Sequence, residues 1–155
     1  MSFQIHALPA EPFTKYFGLS AGQLAERGAQ LHIVTESPGT PCRVSLADAE
    51  VGETVVLLSY EHQPNNTPYR ATHAIFVRKD VVQAMPDVDT VPEVLASRLL
   101  SIRGFDDTHN MRVADVVDGA DLGVALDEKF GTQDVAYIHI HNAKQGCYAA
   151  HATRA

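Results

Sequence analysis

Apolar and polar positions along this chain follow two periods. Strict alternation marks residues 136–141, where Ala136, Ile138 and Ile140 fall on one side of a strand and Tyr137, His139 and His141 on the other. Helical spacing marks Leu122, Ala125, Leu126 and Phe130 ahead of a stop at Gly131, and Phe13, Tyr16 and Phe17 between Pro12 and Gly18. Ser20 and Gln23 form a capping box, with Leu19 and Leu24 as its hydrophobic staple and Gly28 as the stop. Thr90 and Glu93 predict a second box, opening a helix whose buried stripe is Val91, Val94, Leu95 and Leu99. The β-branched and aromatic runs 54–60 and 73–78 are apolar on both sides and predict central strands. Shorter strands are expected at 4–7, 30–36, 101–105 and 112–117. Residues 136–141 and 147–152 predict a hairpin closed by 142–146, with Gly146 last in the loop. Segment 61–72 reads as a twelve-residue connection, a length that is usually functional or mobile. No repeat, low-complexity tract or linker interrupts the pattern. The expected architecture is one α+β domain over 1–155, a mostly antiparallel sheet with short helices packed on it.

Composition sharpens this in one respect. The chain has 155 residues, 45% of them hydrophobic, and a formal charge of −7. Residues 80–134 carry twelve acids against four bases, whereas the rest of the chain is close to neutral. The acids alternate with apolar residues, which describes a solvated face. No cluster of Lys and Arg offers itself to phosphates, so nucleic acid is disfavoured as a partner. Arg43, Arg70 and Arg78 lie outside the acidic stretch, and an anionic small molecule stays open as a ligand. The apolar runs are too short to cross a membrane. The first residues lack a basic and an apolar region of secretory type, which makes the cytoplasm the expected compartment.

Candidate chemistry gathers in three places. In the C-terminal hairpin, a five-residue loop sets His141 opposite Cys147, with Cβ atoms roughly 4.5–5.5 Å apart. That arrangement would make Cys147 a nucleophile and His141 or His139 its base. The alternative is an inert buried thiol, and a one-residue slip of register would turn Cys147 to the other face. The His139-x-His141 pair also suits a divalent metal such as zinc, with Cys147, Glu61 or His73 as third ligand; otherwise no cofactor is expected. At residues 40–46, Arg43 offers a planar fork to a carboxylate or phosphate, or an ion pair to Asp48, Glu50 or Glu53. Cys42 lies beside it, and both cysteines are expected to be reduced. The third place brackets segment 61–72, where Glu61 and His73 would meet as a general-base pair or as a structural hydrogen bond, near Tyr69 and Arg70. Nucleotide-loop, nucleophile-elbow, zincin and Cys-x-x-Cys motifs are absent.

The segments Pro41-Cys42-Arg43-Val44-Ser45-Leu46, Tyr60-Glu61-His62-Gln63, Pro68-Tyr69-Arg70, His73 to Arg78, Tyr137 to Ala143 and Gly146-Cys147-Tyr148, in this order, resemble the domain-of-unknown-function 1203 family of small bacterial proteins. The resemblance covers nearly the whole chain and implies a single-domain bacterial protein. It implies no activity, substrate or cofactor. The residues therefore carry the functional expectation alone: a small-molecule site where Cys42, Arg43, Glu61, Tyr69, His73, His139, His141 and Cys147 converge. Arg43 or Arg70 would orient the ligand, and Tyr137 and Asn142 would contribute binding groups. The competing expectations are a non-catalytic module, whose His and Tyr face contacts a partner or second copy, and a metal-dependent enzyme.

Overall fold

A computed structural model describes residues 2–155. The strands are β1 (Phe3–His6), β2 (Gln30–Ile33), β3 (Thr54–Gln63), β4 (Ala71–Arg78), β5 (Leu99–Phe105), β6 (Met111–Asp118), β7 (Tyr137–Asn142) and β8 (Tyr148–Arg154). The helices are α1 (Glu11–Thr14), α2 (Ala21–Glu26), α3 (Glu93–Ala96) and α4 (Leu122–Phe130). Two antiparallel sheets result, one of order β1-β8-β7-β5-β6 and one of order β2-β3-β4. This is the expected α+β fold. No helix among the described residues is long and apolar enough to cross a membrane.

Alternation fixes which side of the larger sheet is greasy. Ile5, Leu100, Ile102, Ile138, Ile140, Ala150 and Ala152 point to one face, where Val94 and Leu95 of α3 and Leu122, Leu126 and Phe130 of α4 cover them. Burying each large aliphatic or aromatic side chain there contributes about 1.5–3 kcal/mol. The smaller sheet makes its own core from Val56, Leu58, Ile75 and Val77, with Leu24 of α2, Phe13 of α1 and Tyr148 of β8. Tyr148 thus belongs to the larger sheet by hydrogen bonding and to the smaller sheet's core by packing. Residues 40–49 run between the sheets: Leu8 donates to the Arg43 carbonyl, and Arg43 donates to that of Phe76.

The Ser20/Gln23 box forms as expected, both side chains capping the opposite backbone N–H. The second box does not. Pro92 is the N-cap of α3, and the Thr90 hydroxyl donates to the Val88 carbonyl instead. That helix is only one turn, and Leu99, expected on its buried stripe, opens β5 with 41% of its surface exposed. The connection between β3 and β4 is shorter than expected, because β3 continues to Gln63 and β4 begins at Ala71. The extension contains a β-bulge between Tyr60 and Gln63. A bulge bends a strand and re-aims its side chains, and here Glu61 and His62 lie within it.

Candidate metal centre and a second cavity

The side of the larger sheet opposite the helices carries an imidazole row. His6 pairs with His151, His151 with His139, and His139 with Arg103 across four adjacent strands. His141 lies two residues along β7, opposite Ser101 on one side and Tyr148 on the other. The bulged end of β3 reaches over this face and delivers His62. The His62 ring stacks on Tyr148 with centroids 5.6 Å apart and meets His141 edge-on at 4.8 Å and His139 at 6.0 Å.

One imidazole nitrogen from each of His62, His139 and His141 lies within 4.8 Å of the other two. His62 Nδ1, His139 Nδ1 and His141 Nε2 are buried and have no hydrogen-bond partner. A buried polar atom left unpaired costs about 1–3 kcal/mol, so three in one place is a concentrated expense for a structural face. His141 explains its own tautomer. Its Nδ1 stands 2.9 Å from the Gly146 carbonyl, which can only accept, so Nδ1 carries the proton and Nε2 presents a bare lone pair. Gly146 achieves this at a φ of +79°, in the left-handed region that favours glycine.

Electrostatics keeps the cluster neutral. Burial is the main cause that lowers His62 to about 4 and His139 and His141 to about 3; neighbouring imidazoles and the Arg103 guanidinium push in the same direction. His151 is lowered to about 4 by burial and by His6. A cleft of about 380 Å³ opens beside the cluster, lined by His62 and His139 together with His6, Tyr60, Tyr148 and His151. Next along the face, the Tyr137 hydroxyl accepts from Gln63 Nε2 at 2.9 Å and lies 2.8 Å from His109 Nδ1.

The expected eight-residue site divides. Cys147 does not face His141: an irregularity at Ile140/His141 places Tyr148 opposite His141. Its sulfur instead accepts from Arg43 Nη2 at 2.9 Å and Asn142 Nδ2 at 3.5 Å. Arg43, His73, Asn142 and Cys147 line a separate cavity of about 310 Å³. Arg43 makes none of the expected ion pairs, since Asp48 binds Arg98 and Glu53 binds Arg78. The Glu61–His73 pair also fails to form. Register sets Tyr60 opposite His73, and the exposed Glu61 carboxylate takes the Arg70 guanidinium at 3.0 Å. Tyr69 is half-exposed with its edge to Phe105. Cys42 is buried, its sulfur accepting the backbone N–H groups of Val44, Ser45 and Arg78. Both cysteines are free thiols. The third histidine, His62, is not among the expected ligands, because the sequence predicts a strand only to Tyr60 whereas β3 runs on to Gln63. The signal lay in parity, since Tyr60 and His62 continue one face of β3.

A model of a protein family of unknown function, DUF1203, matches residues 39–154. The chain belongs to the DUF1203 family. The match takes in both sheets except β1 and β2, and all of His62, His139, His141, Arg43 and Cys147. Searches of curated proteins and of solved structures return no match.

Proposed function

We propose that His62, His139 and His141 bind one divalent transition-metal ion, zinc fitting best, and that the protein uses it on a small polar ligand entering the adjacent cleft. The observation that carries this is a grouping of three neutral imidazoles, one nitrogen of each within 4.8 Å of the others, in which every ring also has a buried nitrogen without a hydrogen-bond partner. Neutral imidazole is the ligand form, and the Gly146 carbonyl behind His141 is the orienting partner that metal-bound histidines ordinarily have. Ligand nitrogens around tetrahedral zinc stand roughly 3.4 Å apart at bond lengths of about 2.0–2.1 Å. Binding therefore draws the rings inward from a triangle no wider than 4.8 Å. An ion held by three protein ligands keeps a position open for water or substrate, where it lowers the pKa of the water or polarises a bound oxygen. The adjacent cleft offers the polar groups of His151 and Tyr60 and the aromatic wall of Tyr148.

The test is the metal content of untagged full-length protein after chelator dialysis and reloading with zinc. One zinc per chain is expected, falling below a tenth of that in His62→Ala. Equal retention by His62→Ala, or none by the wild type, overturns the reading.

A further inference from the structure

The cavity on the other side of the β7–β8 hairpin contains a buried cation with no carboxylate. Arg43 is 2% exposed, and it donates through Nε to the Tyr148 carbonyl at 2.7 Å, through Nη1 to the Pro41 carbonyl, and through Nη2 to Cys147 Sγ at 2.9 Å. Among the described residues no acid pairs with it. An isolated charge out of water costs several kcal/mol unless a partner compensates it. The sulfur is the one atom among these three acceptors that can become an anion. The guanidinium stands closer to this sulfur than Asn142 Nδ2, which approaches it at 3.5 Å, and a hydrogen bond to an ionised acceptor is stronger than one to a neutral acceptor. Cys42 differs, because its sulfur meets only backbone N–H groups at 3.4 Å and does not line the cavity.

A second, independent feature points to a ligand. Asn142 is 4% exposed and lines the same cavity, and its Oδ1 is buried without a hydrogen-bond partner. It is an acceptor waiting for a donor. The walls around it, Leu57, Ala74 and Phe76, are apolar.

We propose that this cavity is a second site, in which Arg43 holds Cys147 as a thiolate and Asn142 Oδ1 accepts a hydrogen bond from a small, mostly apolar electrophile bearing an N–H or O–H. The site stands independently of the metal reading. The thiol proton has already left to solvent when the substrate arrives, so no base is needed. The sulfur lone pair forms an S–C bond to the electrophilic carbon, and the leaving group departs with the pair of electrons from the bond that breaks.

Iodoacetamide contains both an electrophilic carbon and an amide N–H, and its alkylation releases iodide. The rate at each cysteine of the native full chain is read by mass spectrometry. The other charged groups on the cavity are Arg98, paired with Asp48, and His73. The profile is taken from pH 7.5 to 9.5. Cys147 is expected to react at least tenfold faster than Cys42, at a rate flat to pH 9.5. An ordinary thiol, with a pKa of about 8.5, would rise about tenfold over that range. Such a rise, or equal slow modification of both cysteines, overturns the proposal. Arg43→Met should restore the rise; if that variant does not fold, the wild-type profile decides. Methyl methanethiosulfonate, which transfers a methylthio group to the thiolate and releases methanesulfinate, has no N–H. Asn142→Ala should lower the ratio of iodoacetamide to methanethiosulfonate rates several-fold, and an unchanged ratio removes Asn142 and the donor-bearing substrate.

Discussion

His141 and Cys147 flank one tight turn, yet they belong to different chemistries. His141 faces the gap between the sheets, edge-on to His62 and among imidazoles that burial keeps neutral. Cys147 faces the opposite cavity, against a guanidinium that calls for an anion. The irregularity at Ile140/His141 separates them, because a shift of one residue in an antiparallel pair exchanges the faces. The difference shows that sequence proximity on a hairpin does not make a dyad. It also shows how one turn serves both sides: Gly146 gives its carbonyl to His141, and Asn142 lines the thiol cavity.

Removing a ligand from one side of the hairpin only should separate the two chemistries most severely. His141→Ala is expected to weaken zinc binding by about a thousandfold, which corresponds to about 4 kcal/mol, while leaving the Cys147 alkylation rate within twofold of wild type. Competition titration against a chromophoric chelator measures the first and mass spectrometry the second. A parallel fall in both would mean that the two residues share a site.

The two faces of β7 predict opposite signs in stability. Ile140 is fully buried against the helices, so Ile140→Ala should cost about 2–5 kcal/mol in chemical denaturation. His139→Leu removes an unpartnered buried nitrogen at similar volume, and should leave the metal-free protein as stable or raise it by about 1 kcal/mol. A loss comparable to that of Ile140→Ala would show that the imidazole is satisfied in the fold, contrary to a ligand role.

pH sharpens the same contrast. His62, His139, His141 and His151 are all lowered by burial, so below the ordinary histidine value of about 6.5 the unfolded chain binds more protons than the folded one. Stability of the metal-free protein is therefore full above about pH 6.5 and falls steadily as pH drops toward the folded values of about 3 to 4. Bound zinc should protect between pH 6 and 7 and be released on further acidification. Melting temperature followed from pH 8 to 4.5, with and without zinc, checks both, and a flat profile without zinc would contradict the buried neutral cluster. The smallest effect is expected at the turn: Gly146→Ala forces a Cβ into the left-handed region at about 1–2 kcal/mol, and should weaken zinc about tenfold through the lost alignment of His141.

Much of the fold was legible because burial follows period. The α4 stripe, the Ser20 cap and the alternation in β7 each state a face directly in the order of residues. The histidine pair was legible for the same reason. What failed were features set by single-residue geometry. The irregularity that turns Cys147 away from His141 leaves no mark in residue type. Thr90 and Glu93 had the spacing of a capping box, but the Thr90 hydroxyl is spent on the Val88 carbonyl and Pro92 takes the cap. Arg43 looked like a partner for nearby acids because distance along the chain stood in for distance in space. Asp48 and Glu53 in fact meet Arg98 and Arg78, brought in from other elements.

X-ray absorption at the edge of zinc bound to the full-length protein reports ligand type and separates the two sides of the hairpin in one spectrum. Three imidazole nitrogens and one further light atom at about 2.0–2.1 Å, with no sulfur, are expected. A sulfur shell near about 2.3 Å would place Cys147 or Cys42 on the metal and contradict the site described.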